Sequence, residues 1–301
     1  MNFSTLKGNI LAILSIALWG LCFPVTELLL EHWHPILLTA ARLLSGSICV
    51  LIILLLTRRL HELREVPWGS AWFIGAVGVG AGTILLVWGQ DLSNQVTAAI
   101  LTTTLPIISL VLGVRARDEK FNMWLLTGIF LSIAGGILAS PAFTEKNVVF
   151  HGGELLVLSA TILYAWYSRC CVFTLSHLSG FTTTCVTLGT GGITVLGIGL
   201  GSIALGLIPQ TFDLSTQSLV LIIILGTGGV GISTALWIIA TRTIGVTLAA
   251  FYVNLSPFFV MIASIVIGGE LMLVQFLAAL IVVTAALIAQ YPRLGKRSVG
   301  T

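Results

Sequence analysis

The segment "TTTLPIISLVLGVRARDE" (residues 102–119) places Pro106 inside an apolar run and a glutamate thirteen positions after it. The segment "VNLSPFFVMIASIVIGGE" (residues 253–270) repeats this spacing from Pro257. A proline inside a helix removes one backbone hydrogen bond and costs about 3 kcal/mol in water. Because the same unfavourable residue recurs in the same context, we interpret the two segments as copies of one unit.

The similarity extends well beyond the two segments. At a shift of 151 residues, the stretch 75–139 aligns with the second half of the chain without a gap. The matched pairs are Gly75, Gly78 and Gly80 with Gly226, Gly229 and Gly231, Thr83 with Thr234, Ala98 and Ala99 with Ala249 and Ala250, Pro106 with Pro257, and Glu119 with Glu270. A looser match at a shift of 145 residues places Trp19 opposite Tyr164. The sequence therefore predicts an internal repeat.

The composition identifies the solvent around the chain. The 301 residues are 57% hydrophobic and 8% charged, with a mean hydropathy of +1.08, whereas soluble domains carry about 25% charged residues. So few charges cannot cover a surface in water, and we predict an all-α membrane protein embedded in the lipid bilayer. The net charge of +3 comes without a basic stripe, so no nucleic-acid partner is expected.

Ten apolar runs are each long enough to cross a bilayer, which takes about twenty residues. They are residues 8–27, 35–56, 68–90, 94–114, 121–140, 152–172, 179–207, 216–240, 244–267 and 271–290. Their apolar character is continuous rather than alternating, which predicts helices and not β-strands.

The basic residues of the loops indicate the orientation. If the N-terminus lies in the cytoplasm, the cytoplasmic segments hold twelve Lys and Arg residues, and the outer loops hold only Lys146. This asymmetry follows the positive-inside rule. It predicts ten transmembrane helices with both the N- and C-termini cytoplasmic.

The repeat and the spans together define the predicted organisation. Residues 1–140 form a first five-helix repeat, residues 141–151 a linker, and residues 152–301 a second five-helix repeat with a short C-terminal tail. Because five is odd, the second copy enters the membrane from the opposite side. Two inverted repeats are typical of transporters whose binding site lies near the bilayer midplane.

Several motifs resemble those of a known family. The "ALWG" at 17–20, the arginine in "TAARLLSG" at 39–46 and the two pairs of proline and glutamate resemble the EamA-type drug/metabolite transporter superfamily. Length, ten helices and tryptophan content are most similar to the bacterial aromatic amino-acid exporters. The resemblance implies a bacterial inner membrane location, a central cavity lined by spans 1, 3, 4, 6, 8 and 9, and alternating access.

The implied cavity spans carry aromatic and polar residues that suit amphipathic ligands. Pockets for such ligands are mostly apolar, with a few placed polar groups. The predicted substrate-binding residues are Trp19, Thr83, Trp88, Thr103, Tyr164, Trp237, Tyr252 and Asn254. The alternative is that the aromatic residues pack against lipid or neighbouring helices or join the interfacial belt.

Arg42 is the charged residue that lies clearly within a span. An ionisable group inside a membrane is a functional candidate by default, and a substrate carboxylate is a natural partner. A structural role is the alternative: the side chain reaches the interface, or it pairs with Glu27 or Asp91 near the same outer face.

The prolines and glycines have mechanical interpretations. Pro106 and Pro257 are predicted to free the carbonyls of Thr102 and Val253 and to act as hinges for rocking, with static kinks as the alternative. The glycine-rich stretch 75–82 either lets helices approach closely or leaves room for a ligand beside the backbone.

The acidic residues lie at helix ends or in loops. Glu119 and Glu270 are predicted to begin the fifth and tenth spans, where a carboxylate favours the helix dipole. The sequence places no acid in mid-membrane, where a proton-coupled pump usually keeps one. This distribution favours an uncoupled carrier.

The sequence predicts a carrier that exports small metabolites, in particular aromatic or hydrophobic amino acids, by alternating access. Carriage of other amphipathic metabolites or drugs is one alternative. An intramembrane enzyme is another, but the spans offer serines and threonines with no histidine or acid near them. No catalytic residue, metal or cofactor is expected. The expected partner is a small-molecule substrate, and a monomer is favoured.

Overall fold

The computed structural model describes residues 3–93, 95–120, 122–139, 152–265 and 273–295. All regular secondary structure within these ranges is helical. The predicted linker 141–151 and Glu270 lie outside the described residues.

The first part of the chain forms eight α-helices: α1 (Phe3–Gly20), α2 (Cys22–Leu30), α3 (Pro35–Leu56), α4 (Trp68–Phe73), α5 (Gly82–Leu92), α6 (Gln95–Thr102), α7 (Leu105–Arg115) and α8 (Met123–Ala139). A 3-10 helix (Leu60–Glu65) follows α3. A π-helix, π1 (Ile74–Ala81), joins α4 to α5.

The second part forms seven α-helices: α9 (Gly153–Phe173), α10 (Gly180–Ala204), α11 (Thr216–Ile224), α12 (Ser233–Ile244), α13 (Val246–Val253), α14 (Ser256–Ile265) and α15 (Leu273–Gly295). A second π-helix, π2 (Leu225–Ile232), joins α11 to α12.

Seven helical stretches are long and apolar enough to cross a membrane. They are Phe3–Leu30, Pro35–Leu56, Trp68–Leu92, Thr97–Arg115, Gly153–Phe173, Gly180–Ala204 and Thr216–Ile244. Three further helices are apolar but shorter: Met123–Leu138, Val246–Val260 and Phe276–Tyr291. The protein is therefore an all-helical membrane protein, and the count of ten spans stays a prediction.

The prolines mark interruptions in two of these stretches. A turn interrupts the α-helical hydrogen bonding at residues 103–104, between α6 and α7, and at residues 254–255, between α13 and α14, while Thr104 and Asn254 keep right-handed helical backbone angles. Pro106 and Pro257 each occupy the second position of the helix that follows, where a missing N–H is tolerated. Each proline therefore lies just after a break in α-helical hydrogen bonding, and its role as a hinge or as a static kink stays a prediction.

Glycines bring π1 and π2 into backbone contact with neighbouring helices. A Cβ atom at Gly46 of α3 would lie 2.9 Å from the carbonyl oxygen of Gly226 in π2. Likewise, a Cβ atom at Gly191 of α10 would lie 2.6 Å from the carbonyl oxygen of Gly75 in π1. Helix association in lipid relies on such close packing because apolar side chains gain little by leaving the lipid.

Glu119 does not begin the fifth span. Its backbone N–H and that of Asp118 donate to the carbonyl of Gly113, at 3.2 and 3.1 Å, and so complete the C-terminal turn of α7. The cap of α8 is Asn122, whose Oδ1 accepts from the backbone N–H of Trp124 at 3.0 Å. Glu119 therefore lies four residues before the start of α8, because the turn that closes α7 on the Gly113 carbonyl occupies the residues between the two helices.

Polar contacts fasten the loops at one end of the bundle. The Glu62 carboxylate accepts from the backbone N–H of Ser179 at 3.2 Å and from the hydroxyl of Thr182 at 2.5 Å, at the start of α10. Burial alone would raise the pKa of Glu62, but these hydrogen bonds outweigh it and hold the pKa below its usual value. The charged form of Glu62 therefore stabilises the joint between the 3-10 helix and α10.

We expect Gly46→Ala to lower the free energy of unfolding by about 1–3 kcal/mol, because the added methyl group meets backbone that cannot move aside. The measurement is the thermal unfolding midpoint of the purified protein in detergent. Gly197→Ala in α10 is the matched control, since none of the described atoms lies within 4 Å of its added Cβ. Equal midpoints for the two variants would contradict the packing described above.

We expect Glu62→Ala to destabilise the protein by about 1 kcal/mol at pH 7, the typical value of a helix cap. Because the folded-state pKa is lowered, this stabilisation is present at neutral pH and is lost as the pH falls through that pKa. The difference in Tm between wild type and Glu62→Ala should therefore shrink below pH 4.5, the usual glutamate value. Exposed Glu65, on the same 3-10 helix, supplies the control Glu65→Ala. A pH-independent difference would contradict this role of the carboxylate.

Candidate functional site: an aromatic cavity with a buried arginine

A cavity of about 780 Å³, including its opening, lies among the helices. Both π-helices and both interrupted helices border it. It is lined by Ile16, Trp19, Arg42, Leu43, Gly78, Val79, Gly82, Thr83, Leu86, Thr102, Leu105, Ala160, Thr161, Tyr164, Tyr167, Leu188, Gly229, Val230, Thr234 and Val253.

Aromatic rings form one wall of the cavity. The rings of Trp19 and Tyr164 are nearly parallel, with centroids 6.4 Å apart. Phe23 packs edge-on against Trp19 at 5.0 Å, and Trp237 packs against Tyr164 at 5.7 Å. The outer members of this cluster hold Trp19 and Tyr164 in place while leaving both exposed to the cavity.

Hydrogen bonds fix the polar ends of the deeper rings. The Tyr167 hydroxyl lies 2.9 Å from the hydroxyl of Thr187 on α10. The indole N–H of Trp237 donates to the Ser168 hydroxyl at 2.8 Å. Buried Tyr and Trp side chains usually require such partners. The aromatic wall is therefore rigid and offers a mainly apolar surface to a ligand.

Arg42 is the one cationic residue among the described cavity-lining residues, and it is only 4% exposed. One terminal nitrogen donates to the Thr26 hydroxyl at 3.3 Å, and the Cys22 thiol lies beside the guanidinium. The Nε–H has no hydrogen-bond partner in the part of the chain that the structure describes. A buried guanidinium that is unpaired in this way has the capacity to bind an anion.

The proposed partners of Arg42 are not in place. The Glu27 carboxylate accepts instead from the side-chain amide of Gln90 at 2.8 Å. Asp91 interacts electrostatically with His34, and none of the described ion pairs joins Asp91 to Arg42. Among the described residues, neither of the two carboxylates that were predicted as structural partners therefore forms an ion pair with Arg42.

The structure brings some of the predicted substrate-binding residues together and separates others. Trp19, Thr83 and Tyr164 line the cavity with Arg42. The remaining five lie elsewhere: Trp237 behind Tyr164, Tyr252 and Asn254 fully buried in α13 and the turn after it, Thr103 beside the lining residue Thr102, and Trp88 36% exposed near His34. Their predicted contact with substrate has no support from this placement.

Four polar lining residues were not among the predicted substrate-binding residues: Thr102, Thr161, Tyr167 and Thr234. The repeat held a signal for one of them, since Thr234 is the image of Thr83 at the shift of 151 residues. The helical periodicity relates Tyr167 to Tyr164, three residues earlier on the same face of α9. No comparable pattern in the sequence pointed to Thr102 or Thr161 as a lining residue.

A cavity between the helices of an all-helical membrane protein is an arrangement typical of multi-pass membrane transporters. The chain belongs to the EamA-like transporter family, whose model matches residues 6–140 and again residues 151–290. This family assignment covers both halves of the chain.

Three curated relatives are similar over part of their length. The "Uncharacterized transporter YdfC" of Bacillus subtilis is 30% identical over 175 residues, which is 56% of either chain. The "Probable terminal-alkyne amino-acid exporter" of Streptantibioticus cattleyicolor is 23% identical over 61% of either chain. The "Uncharacterized inner membrane transporter YedA" of Escherichia coli is 27% identical over 50% of this chain and 48% of its own. The chain therefore spans about half to three fifths of the length of these relatives.

A solved crystal structure shares the fold. It aligns over 99% of both chains with a TM-score of 0.75 and 20% sequence identity. At this identity the likeness establishes the architecture alone.

We expect Arg42→Met to leave the Tm of the ligand-free protein unchanged or higher, because the variant removes a buried, poorly paired charge. Arg242 is the matched contrast, since its guanidinium donates to the carbonyls of Cys171, Leu175 and Leu178 at 2.5–2.9 Å. Arg242→Met should cost at least about 2 kcal/mol, because it leaves several carbonyls unsatisfied. Thermal unfolding in detergent gives both values. A large loss of stability in Arg42→Met would identify Arg42 as structural.

Proposed function

We propose that this protein is a carrier that exports small amphipathic metabolites, in particular aromatic or hydrophobic amino acids, by alternating access. The observation that carries the proposal is the cavity, in which the aromatic wall of Trp19 and Tyr164 faces the same space as the buried cation Arg42. The apolar body of such a ligand packs on the rings, and its carboxylate pairs with the guanidinium. The amino-acid exporter among the relatives supports the same substrate class.

The architecture that we propose is ten transmembrane helices in two inverted five-helix repeats, residues 1–140 and 152–301, with both termini cytoplasmic. The positions of π1 and π2, at residues 74–81 and 225–232, support the shift of 151 residues. The reciprocal glycine contacts between π1 and α10 and between π2 and α3 support it as well. The inner membrane relative in Escherichia coli supports the proposed bacterial inner membrane location.

In this proposal, transport follows from two conformations of similar free energy that open the cavity to opposite sides. The interruptions at residues 103–104 and 254–255 provide the bending points in both halves. Transport is uncoupled, since the described lining residues include no carboxylate that could carry a proton. The substrate partner is a small molecule, and the working unit is a monomer.

None of the described lining residues favours the alternative that the protein is an intramembrane enzyme. Catalysis of hydrolysis or transfer requires a nucleophile beside a base, paired acids or metal ligands. The lining residues that the structure describes include threonines and tyrosines without a histidine or acid near them. Carriage of other amphipathic carboxylates is the alternative that Arg42 favours.

Counterflow in proteoliposomes tests the proposal. Vesicles loaded with unlabelled L-phenylalanine should accumulate labelled L-phenylalanine, and the variant Thr83→Trp should reduce the initial rate at least about tenfold by filling the cavity. Thr227→Trp, at a partly exposed position on π2 that is not among the described lining residues, is the matched control and should retain flux. Absence of flux across a panel of amino acids and related metabolites would sink the carrier proposal.

A further inference from the structure

The two helix interruptions share one backbone pattern. At the first, the backbone N–H of Thr103 donates to the carbonyl of Ile100 at 2.9 Å. At the second, the backbone N–H of Asn254 donates to the carbonyl of Phe251 at 3.2 Å. At the shift of 151 residues, Asn254 is the counterpart of Thr103 and Phe251 is the counterpart of Ile100. The backbone therefore forms the same turn in both places.

The polar side chains of the first interruption bond within their own segment. The three threonine hydroxyls at residues 102–104 each donate to the carbonyl three residues earlier, at 2.6–2.7 Å. Among the described residues, no hydrogen bond joins these hydroxyls to another helix. Hydrogen bonds therefore do not tie this turn to its surroundings.

The second interruption is hydrogen-bonded to a helix of the first half of the chain. The Asn254 side-chain amide donates to the Ser132 hydroxyl of α8 at 2.8 Å. The same hydroxyl donates to the carbonyl of Phe251 at 3.2 Å. Ser132 and Asn254 are both fully buried, where hydrogen bonds are stronger than in water. The two bonds thus hold the second turn against α8.

Helix α8 reaches both interruptions, but through different contacts. A Cβ atom at Gly136 would lie 3.0 Å from the methyl carbon of Thr103 and 3.2 Å from the Cβ of Asn254. Thr103 meets α8 through van der Waals contact, whereas Asn254 is also hydrogen-bonded to Ser132. A van der Waals contact is non-directional, while a hydrogen bond weakens steeply when its geometry changes.

This difference lies in the residue types themselves. At the shift of 151 residues, the counterpart of Asn254 is Thr103 and the counterpart of Ser132 is Val283. A valine side chain neither donates nor accepts a hydrogen bond. A second conformation that exchanges the roles of the two halves therefore cannot form the same pair of bonds at the first interruption.

We infer that Ser132 and Asn254 are positioning residues that anchor the second interruption to α8, so that the chain bends at the first interruption during transport. The inference rests on the proposed function and narrows its two bending points to one. Val253 precedes Asn254 and lines the cavity, so this part of the wall keeps its place. The part that contains Thr102 and Leu105 moves with the bend.

Hydrogen–deuterium exchange of the full chain in detergent, read by mass spectrometry, tests the anchor independently of transport. The exchange rate of a backbone amide reports local opening of the structure. Ser132→Ala removes both bonds and should speed exchange in residues 250–256 about tenfold, the combined effect of two hydrogen bonds. Residues 99–105 should keep the wild-type rate.

Ser109→Ala on α7 is the matched control for this exchange experiment. The Ser109 hydroxyl is equally buried but has no hydrogen-bond partner among the described residues. This variant should leave the exchange of both segments unchanged. Wild-type exchange of residues 250–256 in Ser132→Ala overturns the anchor.

Counterflow of L-phenylalanine in proteoliposomes tests which interruption bends. Pro106→Ala restores an N–H that can donate to the carbonyl of Thr102 and so favours a continuous helix. Because bending then becomes harder, the initial rate should fall at least about tenfold. Pro257→Ala makes the same change in the anchored segment and should keep a rate close to that of the wild type. A wild-type Tm in detergent confirms that each variant is folded.

The two measurements separate the inference from the proposal on which it rests. Equal rates in the two proline variants, or a slower rate in Pro257→Ala, overturn the first interruption as the bending point. If the wild type shows no flux of any amino acid or related metabolite, the carrier proposal fails, and the exchange data still decide the anchor. If flux is present and exchange in Ser132→Ala is unchanged, the carrier proposal stands and the anchor fails.

Discussion

The structure depends on one constraint: in lipid, the backbone N–H and C=O groups must be satisfied inside the protein. Helices meet this demand along nearly all of the described chain. Pro106 and Pro257 remove the N–H groups that would serve the carbonyls of Thr102 and Val253 in a continuous α-helix, and both of these residues line the cavity. The position of the helix breaks and the position of the cavity are thus one feature.

Contact between helices is set by small residues rather than by large apolar ones. Gly46 against Gly226, and Gly191 against Gly75, bring backbone to backbone, so α3 and α10 lie directly on the π-helices. Apolar side chains gain little by leaving lipid for protein, and close packing supplies the stabilisation instead. Gly78 of π1 and Gly229 of π2 line the cavity and also pack against Tyr167 and Cys22 respectively. Each of the two glycine-rich π-helices therefore packs against its neighbours and lines the cavity as well.

Buried Arg42 and half-buried Arg242 show how the same residue type serves different roles. Arg242 donates to three backbone carbonyls and closes a loop. Arg42 lines the cavity with a hydroxyl and a thiol as neighbours, and the Nε–H of both arginines has no hydrogen-bond partner among the described residues. A charged group with few hydrogen-bond partners lowers the stability of the ligand-free protein. A ligand that supplies the missing partners gains binding free energy there. The hydrogen-bond partners of the terminal guanidinium nitrogens distinguish the two roles.

The sequence by itself determined the membrane environment, the helical class and the two proline positions, because composition and local spacing carry this information. It identified Trp19, Thr83, Tyr164 and Arg42, which the cavity brings together. Only the tertiary structure decided that Trp237 lies behind Tyr164, that Trp88 and Asn254 lie away from the cavity, and that Glu119 ends a helix. A helix that is apolar all round shows no periodicity that separates its lipid face from its core face. Helix rotation, and hence the lining of the cavity, follows from packing between distant segments.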